Sequence, residues 1–215
     1  LRMEELVTKH AAIMDKYDST KRVALVVDEW GIWTDVEPGT NPGFLYQQNS
    51  LRDALIAAVH LNIFNNHSDR VRVANLGQTV NVLQSLILTK GEQILLTPTY
   101  YVFDLFKVDQ DAKLLPVNFQ SPDYVSGADK IPALNISASK DSLGVTHISI
   151  VNLNATQQIS LNTDLGSDWK SVNGQILSSA NLTDINTFEK PLLVKPAAFT
   201  GAKKQGSQLS VTIPA

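Results

Sequence analysis

Lys21-Arg22-Val23-Ala24-Leu25-Val26-Val27-Asp28-Glu29-Trp30 is an apolar, β-branched run that stops at two carboxylates and an aromatic ring. Such a run, with no polar alternation, predicts a strand over residues 22 to 27 that is buried on both faces. Strands of that kind belong to parallel sheets, and in an eight-stranded parallel barrel the working groups sit at the strands' C-terminal ends. Glu29 stands at that end, with Trp30-Gly31-Ile32-Trp33 directly after it. Two readings follow: a catalytic carboxylate beside an aromatic platform, or an ordinary strand end whose acids face water or cap the next helix.

Working outward, Leu1, Met3, Leu6, Val7, His10, Ala11, Ile13, Met14 and Tyr17 recur at helical spacing and predict an opening amphipathic helix. Pro38, Gly39, Asn41, Pro42 and Gly43 mark residues 34 to 49 as a long loop after the strand. Ser50-Leu51-Arg52-Asp53 has capping-box spacing, with Asp in place of the usual Glu, and opens an apolar helix through about Phe64. Val71, Val73 and Leu76 predict a second short strand. Val80, Val82, Leu83, Leu86 and Ile87 predict a further helix, and Tyr100 to Lys107 another.

Beyond about residue 110 the texture changes to short alternating runs at 147–151, 158–161, 175–177 and 208–212, separated by Asn, Gly and Ser. That is the pattern of half-buried antiparallel strands in a sandwich. The stretch Ser121 to Gly127 reads as a loop within it.

Composition narrows the function. A hydrophobic fraction of 43% marks a folded protein, and a net charge of −3 without a basic cluster gives no footprint for nucleic acid or an anionic membrane. A neutral polysaccharide suits that balance. With no cysteine, disulfides, thiolate metal sites and a cysteine nucleophile are excluded. His60 and His67 are too far apart for a one-turn metal pair, and Ser50 lacks the glycines of a nucleophile elbow. His60 is expected to pack in the core. No signal peptide is visible at the first residues.

Asp28-Glu29-Trp30-Gly31-Ile32-Trp33 with Glu37 to Asn49, then Ala74-Asn75-Leu76-Gly77-Gln78-Thr79-Val80-Asn81-Val82-Leu83-Gln84, then Leu96-Thr97-Pro98-Thr99-Tyr100-Tyr101-Val102-Phe103-Asp104, form an ordered set. In that order they resemble motifs of the family 51 glycoside hydrolases, the α-L-arabinofuranosidases. The resemblance implies an α/β plus all-β fold: residues 1–110 as the last strands and helices of a (β/α)8 TIM barrel, and 111–215 as a jelly-roll-like antiparallel β-sandwich. It also implies a retaining, exo-acting arabinofuranosidase, with arabinose-containing oligo- or polysaccharide as partner, no cofactor and no metal. The family places its nucleophile on the seventh barrel strand, so the chain is expected to be part of a larger enzyme and inactive alone. A homo-oligomer of that enzyme is permitted.

Within the resemblance, Glu29 matches the nucleophile, Trp33 an aromatic that lines the sugar site, and Gln78 a glutamine that hydrogen-bonds near the nucleophile. Residue chemistry leaves other readings open: Trp33 as a core Trp beneath the loop, Gln78 as a surface glutamine at a helix start. Trp30 is read as a support for the strand and Asn75 as a lesser candidate beside Gln78. Asp28, adjacent to Glu29 on extended backbone, points to the other side and is read as structural, holding an Arg or a backbone amide. The acid/base partner lies on a strand that this chain does not contain. Competing readings are another barrel glycosidase of the same mechanism and, from a different class, a carbohydrate-binding or assembly module, which has no reason to end a buried strand in Glu29 beside Trp33 and Gln78.

Overall fold

The computed structural model describes all 215 residues, and it begins with helix α1 (Arg2–Tyr17). Glu4 and Glu5 lie in its first turn and Lys16 in its last, each at the end of the helix dipole that favours its charge. Strand β1 (Leu25–Trp30), helix α2 (Leu51–Asn66) and strand β2 (Val71–Leu76) follow, with β1 and β2 paired in parallel. At the start of α2, the Asp53 carboxylate accepts from both the amide and the hydroxyl of Ser50, at 2.9 and 2.7 Å. Two of the free first-turn amides are satisfied from far along the chain. Leu51 donates to the Asp184 carbonyl and Arg52 to that of Leu182, both at 3.0 Å.

Helix α2 is apolar on more than one side because it is covered on more than one side. Ala54, Ala57, Ala58, Val59, Ile63 and Phe64 join Val7, Trp30, Val71 and Val102 in one core, which also draws Val151 and Val194 from the second half. Its polar edge is spent on the sheet beyond, where Asn66 donates to the Ile136 carbonyl at 2.9 Å and Asn62 accepts from Ser137 Oγ at 2.6 Å.

Burial of β1 on both faces is not what the structure shows. Leu25, Val27, Ala74 and Leu76 pack toward the helices, whereas Val26 and Val73 are 45% and 46% exposed. The apolar run therefore has one covered face and one that meets nothing within these residues.

The helix expected over residues 80 to 87 is also absent. Asn81 and Leu83 take left-handed backbone at φ +59° and +52°, which no helix accommodates. The apolar side chains there are used singly, with Leu83 buried and its amide donating to the Leu45 carbonyl at 2.9 Å. A hairpin follows, strands β3 (Ile87–Lys90) and β4 (Gln93–Leu96), around a two-residue turn opened by Gly91 at φ +58°. Helix α3 (Pro98–Phe106) has Thr97 as its N-cap and Pro98 in its first turn.

The second half is built from antiparallel pairs. Strands β5 (Lys113–Leu115), β8 (Leu134–Lys140) and β9 (Thr146–Asn152) form one sheet in the order β5-β8-β9. Strands β10 (Ile159–Asp164), β13 (Ala202–Gln205) and β14 (Gln208–Ile213) form another in the order β10-β14-β13. Strands β6 (Asp123–Ser126) and β7 (Asp129–Pro132) make a hairpin where a loop was expected, and β11 (Gln175–Ile176) pairs with β12 (Ala197–Ala198). Along β14, Leu209, Val211 and Ile213 point inward and Gln208, Ser210 and Thr212 outward, which is the period of two read from the sequence. With Leu134 and the partly buried Ile150 they close a second core between the sheets.

Buried Arg70 ties α1 to the start of both parallel strands. It donates to the Asp18 carboxylate and the Val23 carbonyl, each at 2.8 Å, and also contacts Asp15. The Val23 amide, donating to Asp18 at 2.7 Å, and the Arg70 guanidinium hold the Asp18 carboxyl down at about 2. A depressed carboxyl contributes stability that is complete above its unfolded pKa, near 3.8, and is lost as pH falls toward 2. Thermal melting of the protein is therefore expected to weaken over that window. An Asp18→Asn variant, which cannot titrate there, is expected to show a shallower fall; equal slopes would show that Asp18 is not part of the acid response.

Candidate active site

The burial of β1 carries a phase change. Leu25 and Val27 face the helices, so strict alternation would send Glu29 to that side and Trp30 to the other. Instead the register slips: Val27 pairs with Ala74 and Trp30 with Leu76, leaving Asp28 and Glu29 opposite Asn75 alone. An extra residue of this kind re-aims the side chains around it. Trp30 consequently enters the core at 4% exposure, stacked on Phe103 at 6.0 Å and edge-on to His60 and Phe64 at 5.3 and 5.5 Å. Glu29 is left exposed at the strand end. His60 packs in the core as expected, and burial pushes its ring down to about 4, so it is neutral.

Glu29 lies across the end of β2. A Cβ on Gly77 would sit 2.7 Å from Glu29 Cγ and 2.9 Å from Cδ, so the side chain rests on bare backbone that only glycine leaves free. The Gly77 amide in turn donates to the Trp30 carbonyl at 2.9 Å, fixing the two strand ends together. Gln78 follows Gly77 across a cis peptide bond and is exposed. Glu29 and Gln78 thus come to the same edge, but no hydrogen bond joins them.

Two buried glutamines shape the loop that leaves Glu29. Gln84 Oε1 accepts from the Ile32 amide at 2.9 Å, while its Nε2 donates to the Asp53 carbonyl and to Thr99 Oγ1 at 2.6 and 3.2 Å. Gln47 accepts from the Thr34 amide at 3.0 Å and donates to the Ile32 carbonyl at 3.1 Å. Gly31, at φ +148°, lets the chain turn sharply between the strand and these clamps. The loop so held presents Trp33 at 59% exposure, which rules out a core Trp beneath it. Neither Gln47 nor Gln84 was singled out from sequence. Their signal was faint: amides embedded among apolar or bulky neighbours, as in Val82-Leu83-Gln84-Ser85-Leu86.

Asp28 is exposed and makes no hydrogen bond or ion pair, so the expected role of holding an Arg or an amide is not found. Nor does any group of three or more His, Asp or Glu side chains gather to hold a metal ion. Beside the unpartnered Asp28, what the strand ends offer is one accessible carboxylate laid on backbone, Glu29, with an exposed indole and an exposed amide on the flanking loops. Such a group can act as a nucleophile or base toward a ligand arriving at the open edge.

The family described as Alpha-L-arabinofuranosidase C-terminal domain matches residues 28–215. An intracellular exo-alpha-L-arabinofuranosidase of Bacteroides ovatus is 47% identical over 218 residues, spanning 100% of this chain and 42% of that protein. A probable alpha-L-arabinofuranosidase C of Aspergillus niger is 28% identical over 159 residues, or 70% of this chain and 31% of its own length. Among solved structures, the GH51 arabinofuranosidase from Xanthomonas axonopodis pv. citri superposes with a TM-score of 0.96 at 50% identity, covering 99% of this chain and 43% of that one. The Thermotoga maritima alpha-L-arabinofuranosidase, solved as an arabinose complex, shares the fold at a TM-score of 0.73 and 21% identity. The chain spans less than half the length of these relatives.

Proposed function

Because this chain belongs to the alpha-L-arabinofuranosidase C-terminal domain family and matches the C-terminal portion of family 51 glycoside hydrolases, we propose that it supplies the nucleophile, Glu29, of a retaining, exo-acting α-L-arabinofuranosidase. The substrates are terminal arabinofuranosyl residues of arabinan- or arabinoxylan-type glycans. The observation that carries this reading is the register slip at Asp28 and Glu29, which turns the carboxylate out of the core and onto Gly77.

In this reading residues 1–110 are the last strands and helices of a (β/α)8 barrel, and 111–215 are the sandwich. The parallel pairing of β1 and β2 around α2 supports it, as does the bare face of Val26 and Val73, which further barrel strands would cover. A retaining mechanism needs a second carboxyl about 5 to 5.5 Å from the nucleophile. That acid comes from the remainder of the barrel, so the 215 residues alone are inactive.

Glu29 attacks the anomeric carbon and forms an ester to it as the glycosidic C–O bond breaks; the leaving oxygen takes the proton of the second carboxyl. Water then attacks the same carbon, gives its proton to that carboxylate, and frees Glu29. The Trp33 indole packs on the apolar face of the pentose, and the Gln78 amide orients a sugar hydroxyl or the carboxylate. Followed by NMR, the complete enzyme acting on 4-nitrophenyl α-L-arabinofuranoside is expected to release arabinose first in the α configuration. Initial release of the β anomer, or no release, would overturn the proposal.

A further inference from the structure

The loops that leave the ends of β1 and β2 close on a second feature, away from Glu29. Between them and the segment around Phe188 lies a cleft of about 320 Å³, walled by Phe44, Tyr46 and Phe188 and lined on its polar side by Asn81, Thr89 and Lys90. Its tie to the Glu29 edge is short. Gln84 holds the Ile32 amide, its neighbour Leu83 donates to the Leu45 carbonyl at 2.9 Å, and Leu45 stands between Phe44 and Tyr46.

Phe44 is 68% exposed, yet it is not on a frayed tip. It ends a 3₁₀ turn, Pro42–Phe44, whose start is capped by Asn41 accepting from the Gly43 amide at 2.9 Å. A large ring held in water by a built turn offers an apolar platform. Hydrogen-bonding capacity stands beside it. Lys90 Nζ lies 6.0 Å from the Phe188 ring centre and pairs with no carboxylate, and the Tyr46 hydroxyl has no partner. Thr89 Oγ1 accepts from Asn81 at 2.7 Å and keeps its own proton to donate.

The rim charge is close to balanced, since Glu189 follows Phe188 and its carboxylate attracts the Lys90 ammonium from beyond ion-pair distance. An apolar plate, mixed donors and acceptors and little net charge together fit a sugar ring, apolar on its faces and hydroxylated at its edge. We propose that this cleft is a secondary sugar site, binding a neutral ring of the glycan beyond the arabinose that is cleaved. The proposal rests on the reading of Glu29 for its place in the reaction, but not for its chemistry.

Kinetics of the complete enzyme on two substrates test it. Phe44→Ala and Lys90→Ala are expected to lower kcat/KM on a short neutral arabino-oligosaccharide about 5- to 20-fold, mainly through KM, and to leave 4-nitrophenyl α-L-arabinofuranoside within about twofold. Equal losses on both substrates, or none on either, would overturn the secondary site. Saturation-transfer NMR of the same oligosaccharide on Glu29→Ala protein reads the cleft without turnover. Its signals are expected to weaken when Phe44→Ala is added, whether or not Glu29 proves to be the nucleophile, and unchanged signals would count against the cleft alone. Stronger binding of a uronate-bearing chain than of the neutral one would overturn the choice of ligand.

Discussion

Glu29→Ala in the complete enzyme is expected to lower kcat by on the order of 10⁴- to 10⁶-fold, the scale seen when a covalent nucleophile is removed. Its stability should hardly move. Glu29 is exposed, makes no side-chain hydrogen bond and rests on the backbone of Gly77, so truncation strands no buried polar partner. The two outcomes separate a catalytic group from a structural one. If Glu29 were only a strand-end acid, the variant would lose little rate, and any effect would show in the urea midpoint instead.

Gln84→Ala is expected to do the opposite, costing about 2 to 4 kcal/mol of unfolding free energy. Gln84 is fully buried, and its loss leaves the Ile32 amide, the Asp53 carbonyl and the Thr99 hydroxyl short of a partner in the core. Because the Ile32 amide lies just past Glu29 and Trp30, kcat on the aryl arabinofuranoside should fall as well. Urea unfolding of the variant checks the first effect, and a cost under about 1 kcal/mol would mean that water or a shifted loop replaces the amide.

Much of this could be read from the chain because several segments carry one period throughout. The opening helix, the capped helix at Ser50, the strand from Val71 and the alternation of Gln208 to Ile213 needed no partner to be recognised, while the first parallel strand, expected over 22 to 27, runs Leu25–Trp30. What escaped depends on pairing. Val80 to Ile87 has helical spacing, but contacts with Leu45 and Thr79 fix each residue separately and override local preference. The bare face of Val26 and Val73 is a fact about neighbours, and composition cannot report neighbours. The phase change at Glu29 was half visible, since inward residues run Leu25, Val27 and then Trp30. Read strictly, that skip marks a slip in the strand between Val27 and Trp30.

Position and chemistry meet in Glu29, and trapping the intermediate tests both at once. The complete enzyme, incubated with a mechanism-based fluoro-arabinofuranoside, digested and mapped by mass spectrometry, is expected to carry one added sugar on the peptide containing Glu29, at that residue. A label on Asp28 or on any other acid, or turnover without a trapped ester, would contradict the account.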